Sequence, residues 1–133
     1  MSFPWYVPAV AAALVWGLHY PLIDHALKRV SLTTVVLLTA APMALAALAF
    51  PARLAADWRV FAGLPWVERG LIVAIALTSL LGTVLLYTAI QGKNATLASL
   101  IEITYPVFVV GFAWLLFREW HLNTGVILGA ALV

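Results

Sequence analysis

Residues 94–117 read NATLASLIEITYPVFVVGFAWLLF, and this stretch decides the fold. It is apolar along its length and carries a single charged side chain, Glu102. A helix rises about 1.5 Å per residue, so a run of this length crosses a hydrocarbon core of roughly 30 Å. Backbone polar groups in lipid must be satisfied within the segment, which makes the run helical. A carboxylate at such depth costs a few kcal/mol, and residues of this kind usually face a water-filled path or a partner group.

Three further runs have the same character: 5–27, 32–50 and 70–91. The last two carry no charge, and the first has Asp24 and His25 only near its end. A final run over 121–133 is equally apolar, but as a helix it reaches only about 20 Å. Because it is still apolar where it stops, the expectation is a helix cut short. The predicted fold is therefore all-α: a polytopic transmembrane helix bundle with four full spanning helices plus a partial fifth.

Composition agrees. The chain is 65% hydrophobic and 9% charged, whereas soluble domains carry about 25% charged residues. The Lys and Arg residues lie between the apolar runs, so the basic balance reports contacts with a lipid surface, and nucleic acid is not an expected partner. There is no cysteine, which excludes a disulfide framework, a thiol nucleophile and a zinc–thiolate site. Residues 1–15 lack a basic stretch and lead into more apolar sequence, so they are expected to belong to a retained first span.

Links are short at 28–31 and 91–93, and 51–69 is expected to be the one long loop. Trp58 and Trp66 within it, with Trp5, Tyr6 and Trp120, fit interfacial anchors. The amino terminus, the long loop and the turn after 117 share one side and carry Arg53, Arg59, Arg69 and Arg118. The other side carries Lys28, Arg29 and Lys93. The positive-inside rule then favours a cytoplasmic amino terminus by one charge, a bias slight enough to permit both orientations.

Counting from the helix ends puts Glu102 and His19 each about 12 Å from the same face. Trp16, Tyr20 and Asp24 recur at i, i+4 and form a polar and aromatic stripe on the first span, bordered by His19. Tyr105 follows Glu102 by three residues on one face, and Thr83 and Tyr87 bring hydroxyls from the third span. The functional expectation is a cavity in which Glu102, His19, Trp16, Tyr20, Tyr87 and Tyr105 receive a polar or cationic solute. The structural alternative is that Glu102 only pairs with a neighbouring hydroxyl or histidine. Asp24 and His25 are near enough to the end to reach headgroups. Pro21, Pro42 and Pro106 lie inside spans, where a proline frees a carbonyl and permits a kink; Pro21 and Pro106 flank the candidate site. Gly125 and Gly129 form a G-x-x-x-G, a candidate dimer contact. No catalytic motif, phosphate loop or acidic metal pair occurs, so an enzyme, a metal site and a cofactor are not expected.

The order of these features resembles the EamA-like domain of the drug/metabolite transporter superfamily. The resemblance rests on Trp16-Gly17, Pro21 and Lys28 in the first span. It rests also on Ala98 to Glu102 with Tyr105 to Phe108, on Ala113 to Glu119, and on the tail Gly125 to Val133. It covers nearly the whole chain, 1–133, as a single repeat with its last helix incomplete. Where members often carry Glu directly before the fourth-helix proline, this chain has Tyr105. The related small multidrug resistance transporters couple through a Glu in their first helix, which this chain lacks.

The resemblance implies an inner-membrane transporter or permease of small metabolites, built from two inverted five-helix repeats around a cavity. One repeat cannot alternate access alone, so a second copy, a partner repeat or a missing half is expected. The rival expectation is an accessory or assembly subunit of a membrane complex, such as a lipid-linked sugar flippase, with no pathway of its own.

Overall fold

A computed structural model describes residues 4–119 and Gly125. The expected partial fifth helix over 121–133, with Gly129, lies outside the described residues except for Gly125, which is exposed. Within them all regular structure is α-helix: α1 Tyr6–Leu27, α2 Leu32–Leu48, α3 Pro51–Gly63, α4 Trp66–Gly92, α5 Ala95–Glu102 and α6 Tyr105–Phe117. Three segments are long and apolar enough to cross a membrane: α1 with 22 residues, α4 with 27, and α5 with α6 over the 23 residues Ala95–Phe117. α2 has 17 residues and meets α3 at a bend of 91°. A helix of that length rises about 25 Å, at the short limit for a span.

Residues 51–63 form a helix where a loop is expected from the charges of Arg53, Asp57 and Arg59. The backbone reason is local. Pro51 sits in the first turn of α3, where its fixed φ suits a helix start and its missing N–H costs nothing. Phe50, held before a proline, leaves the helical region at φ −119° and ψ 59°, which ends α2 and turns the chain. The α3–α4 corner repeats the device, with Leu64 extended before Pro65. Arg69 then closes it: Nε donates to the Leu64 carbonyl at 2.7 Å, and the guanidinium also reaches the Ala62 carbonyl at the end of α3.

The opposite end of the molecule holds two tight turns. After α1, the Arg29 and Val30 amides both return to the Ala26 carbonyl at 2.9 Å. Ser31 then caps α2, with its hydroxyl facing the Thr34 amide at 3.4 Å. Asn94 is extended between α4 and α5, and its Oδ1 accepts the Leu97 N–H at 2.8 Å. Asn94→Ala is expected to cost about 1 kcal/mol, the usual worth of an N-cap. Reversible unfolding in detergent micelles measures it; an unchanged stability would mean that tertiary contacts alone hold the start of α5.

The core gathers at this turn end. Among the described residues, Ile23 and Leu27 of α1, Val35 of α2, Tyr87 and Ile90 of α4, and Ala95 and Ala98 of α5 are buried. Two of the seven are alanines on α5, so backbones approach closely there. That is how helices associate in lipid, where the tails are as apolar as leucine and hydrophobic burial gives no net drive. Elsewhere the large side chains are open, as at Leu14, Leu81 and Phe112, as expected of surfaces that meet acyl chains or a further protein unit. Exposed hydroxyls on the α4 span satisfy themselves locally: Thr78 and Thr88 each donate to the carbonyl four residues back, at 2.7 Å.

Residues 94–117 are not one continuous helix. α5 ends at Glu102 and α6 begins at Tyr105, with Pro106 in its first turn. Proline has no N–H, so the Glu102 carbonyl four residues earlier loses its helical donor. The ladder tightens across the gap, with Thr104 N–H to Ile101 O at 3.2 Å and Val107 N–H to Thr104 O at 3.1 Å. α1, by contrast, runs through Pro21 without a break. α6 stops at Arg118, whose φ of 58° is left-handed, a conformation that a side chain with a Cβ adopts at some cost.

Candidate functional site

Glu102 is the last residue of α5, and its side chain is engaged by α1. The Tyr20 hydroxyl donates to Glu102 Oε2 at 2.9 Å, linking residues 82 apart in sequence. The bond joins two elements, α1 and α5, and is part-buried. The ion pair found among the described residues joins Asp24 to Lys28 at 3.0 Å. The phenol is therefore the partner observed for the Glu102 carboxylate among the described residues.

The α1 side is built by spacing. Positions 16, 19 and 20 lie on one helical face. The Trp16 ring meets His19 edge-on at 5.1 Å between centroids and Tyr20 at 5.9 Å. Tyr20 packs against the core cluster that contains Tyr87 of α4, and Tyr105 opens α6 three residues after Glu102. Four elements thus contribute to one neighbourhood around the break in the last span.

The six sequence-expected residues differ in setting. Tyr87 is only 3% exposed and belongs to the core, so it backs the site as packing. His19, Tyr20 and Glu102 are half-buried, while Trp16 and Tyr105 are open. The neighbourhood therefore has a closed side toward α4 and an open side along Trp16 and Tyr105. Thr83 is half-buried one turn before Tyr87. Asp24 lies one turn nearer the membrane surface than Tyr20 and is occupied by Lys28. His25 is exposed beside it.

Two backbone acceptors belong to the same region and are not evident from side-chain patterns. Pro21 leaves the Gly17 carbonyl without its helical donor, as Pro106 does for Glu102. Gly17 directly follows Trp16, and a Cβ placed on it would meet nothing within 4 Å. The signal for both carbonyls is present in the sequence, since a proline always orphans the carbonyl four residues earlier. The gathered groups are one carboxylate, two freed carbonyls, phenol donors and an indole face. Together they suit a solute bearing N–H or O–H donors or a cationic group.

The profile of the EamA-like transporter family matches residues 3–133 of the chain. No curated protein and no solved structure gives a match.

Proposed function

The chain belongs to the EamA-like transporter family, a family of membrane transporters within the drug/metabolite superfamily, and on that premise we propose that this multi-pass membrane protein is one half of a permease for a small polar metabolite or drug-like solute. The solute is received by Glu102, His19, Trp16, Tyr20 and Tyr105, with Tyr87 supporting the wall from the core. The observation that carries this proposal is the Tyr20–Glu102 hydrogen bond at the break in the last span. A broken helix near mid-membrane, with a carboxylate and freed carbonyls at the break, is the recurrent form of a transporter binding site.

The same bond suggests how binding couples to movement. A hydrogen bond to a charged group contributes about 1.5–3 kcal/mol. A solute that takes the carboxylate from Tyr20 releases the tie between α1 and α5, and the break at 103–104 supplies the hinge. An equilibrium between two arrangements shifts tenfold for about 1.4 kcal/mol of differential binding, so one displaced bond is enough to change which arrangement dominates.

One repeat does not enclose a path. The complete unit has a second copy or a partner repeat facing the open side of the site, and the Gly125 and Gly129 motif offers a close-approach contact for it. The unit resides in the cell inner membrane, with the amino terminus cytoplasmic on the balance of loop charge. The test is uptake of small polar solutes into proteoliposomes bearing the chain, alongside crosslinking for copy number. Saturable, chain-dependent uptake that tracks the dimeric fraction is expected. Full insertion and dimer formation without uptake of any polar solute would overturn the proposal.

A further inference from the structure

We propose that α3 is a headgroup-binding helix, lying in the membrane surface with Leu54, Trp58 and Phe61 immersed and Arg53 and Arg59 holding the phosphates of anionic phospholipids. Its direction is the first observation. α3 meets α2 at 91°, so when α2 follows the membrane normal α3 runs in the membrane plane. Its face is the second. Leu54, Trp58 and Phe61 recur at i, i+4 and i+7 and share one stripe. The Trp58 and Phe61 rings stack at 5.5 Å with 27° between planes, forming a continuous aromatic plate. Trp58 is 70% exposed and Leu54 42%, while Phe61 is half-buried, so the described residues cover the stripe only at its Phe61 end.

Charge is the third observation and selects the occupant. At about 100° per residue Arg53 and Arg59 fall on either side of the stripe, about 105° and about 135° from its centre, with Asp57 nearer to it at about 65°. Neither is engaged in the ion pair found among the described residues, which joins Asp24 and Lys28. The neighbouring charges are Asp57 on α3 itself, and Glu68 and Arg69 at the start of α4. Arg69 is committed to the Leu64 and Ala62 carbonyls and stacks over Trp66 at 5.5 Å. It therefore stiffens the corner and leaves Arg53 and Arg59 for external anions. An amphipathic helix with an aromatic and aliphatic face, flanked by arginines, matches an anionic lipid surface.

The chain has no cysteine, so single-cysteine spin labels report position without background. The full chain is placed in vesicles of phosphatidylcholine with and without phosphatidylglycerol. Labels at Leu54→Cys, Trp58→Cys and Phe61→Cys are expected to contact lipid-soluble relaxants. Labels at Ala52→Cys, Ala56→Cys and Gly63→Cys, on the opposite face, are expected to contact water-soluble ones. Uniform exposure to water, uniform depth in lipid, or shielding of the 54, 58 and 61 labels from both relaxants by a protein partner would each overturn the proposal. In the R53Q/R59Q chain, the preference for phosphatidylglycerol over phosphatidylcholine is expected to fall about thirtyfold, about fivefold for each arginine, read from quenching of a fluorophore at Gly63→Cys. The depth pattern measured in the same variant shows whether α3 is still formed. An unchanged lipid preference with that pattern intact would remove the arginines from the assignment.

Discussion

Glu102→Gln is expected to lower solute flux by about tenfold or more while leaving the chain inserted and folded. Gln retains an oxygen that accepts the Tyr20 hydroxyl, so the geometry at 2.9 Å is preserved in outline. What is lost is the charge. A charge-assisted hydrogen bond is roughly twice as strong as a neutral one, so both solute capture and the exchange with Tyr20 weaken. A neutral amide is also easier to hold in lipid than a carboxylate, so insertion is not expected to suffer. Tyr20→Phe removes the internal competitor and leaves the carboxylate without its phenol. The two variants acting through one bond should be non-additive, which a double-mutant cycle of flux measures directly. Flux that survives in Glu102→Gln while assembly with a partner chain fails would instead favour the accessory-subunit role.

Ile90→Ala is expected to destabilise the fold by about 2 kcal/mol, against less than about 0.5 kcal/mol for Leu85→Ala. Ile90 is 1% exposed and Leu85 60% exposed on the same helix. In a soluble protein the loss would combine a transfer term with a cavity term. In lipid the transfer term is small, because the surroundings are as apolar as the core. The cavity remains, since Ile23, Val35 and Ala98 around it sit on separate helices that cannot all close in. Reversible unfolding in mixed micelles compares the two variants. Equal losses would show that packing is spread along α4 rather than concentrated at the turn end.

The core is concentrated because the short links are there. Residues 28–31 and the extended Asn94 draw α1, α2, α4 and α5 together at one membrane face, while the other ends diverge through the α3 corner. The site sits just inside that packed end: Tyr20 lies one turn before Ile23, and Glu102 one turn after Ala98. A rigid platform on one side and an open face on the other is an arrangement in which a hinge at 103–104 moves α6 without disturbing the core.

Much of this was legible without coordinates. A lone carboxylate in an apolar run marks itself, because ionised groups in lipid are costly. The stripe of Trp16, Tyr20 and Asp24 follows from helical spacing. The long link was misread because its charges suggested a loop. Its apolar positions 54, 58 and 61 fall on one face and describe a surface helix as well as they describe anchors.

Sequence by itself determined the medium, the helical class and the family, because hydropathy, length and residue order need no knowledge of neighbours. Tertiary structure alone decided that Tyr20 meets Glu102 and that Tyr87 turns into the core. The reason is rotational. A helix that is apolar all round carries no mark of which face turns inward, so the azimuth of each span is set only when the helices pack.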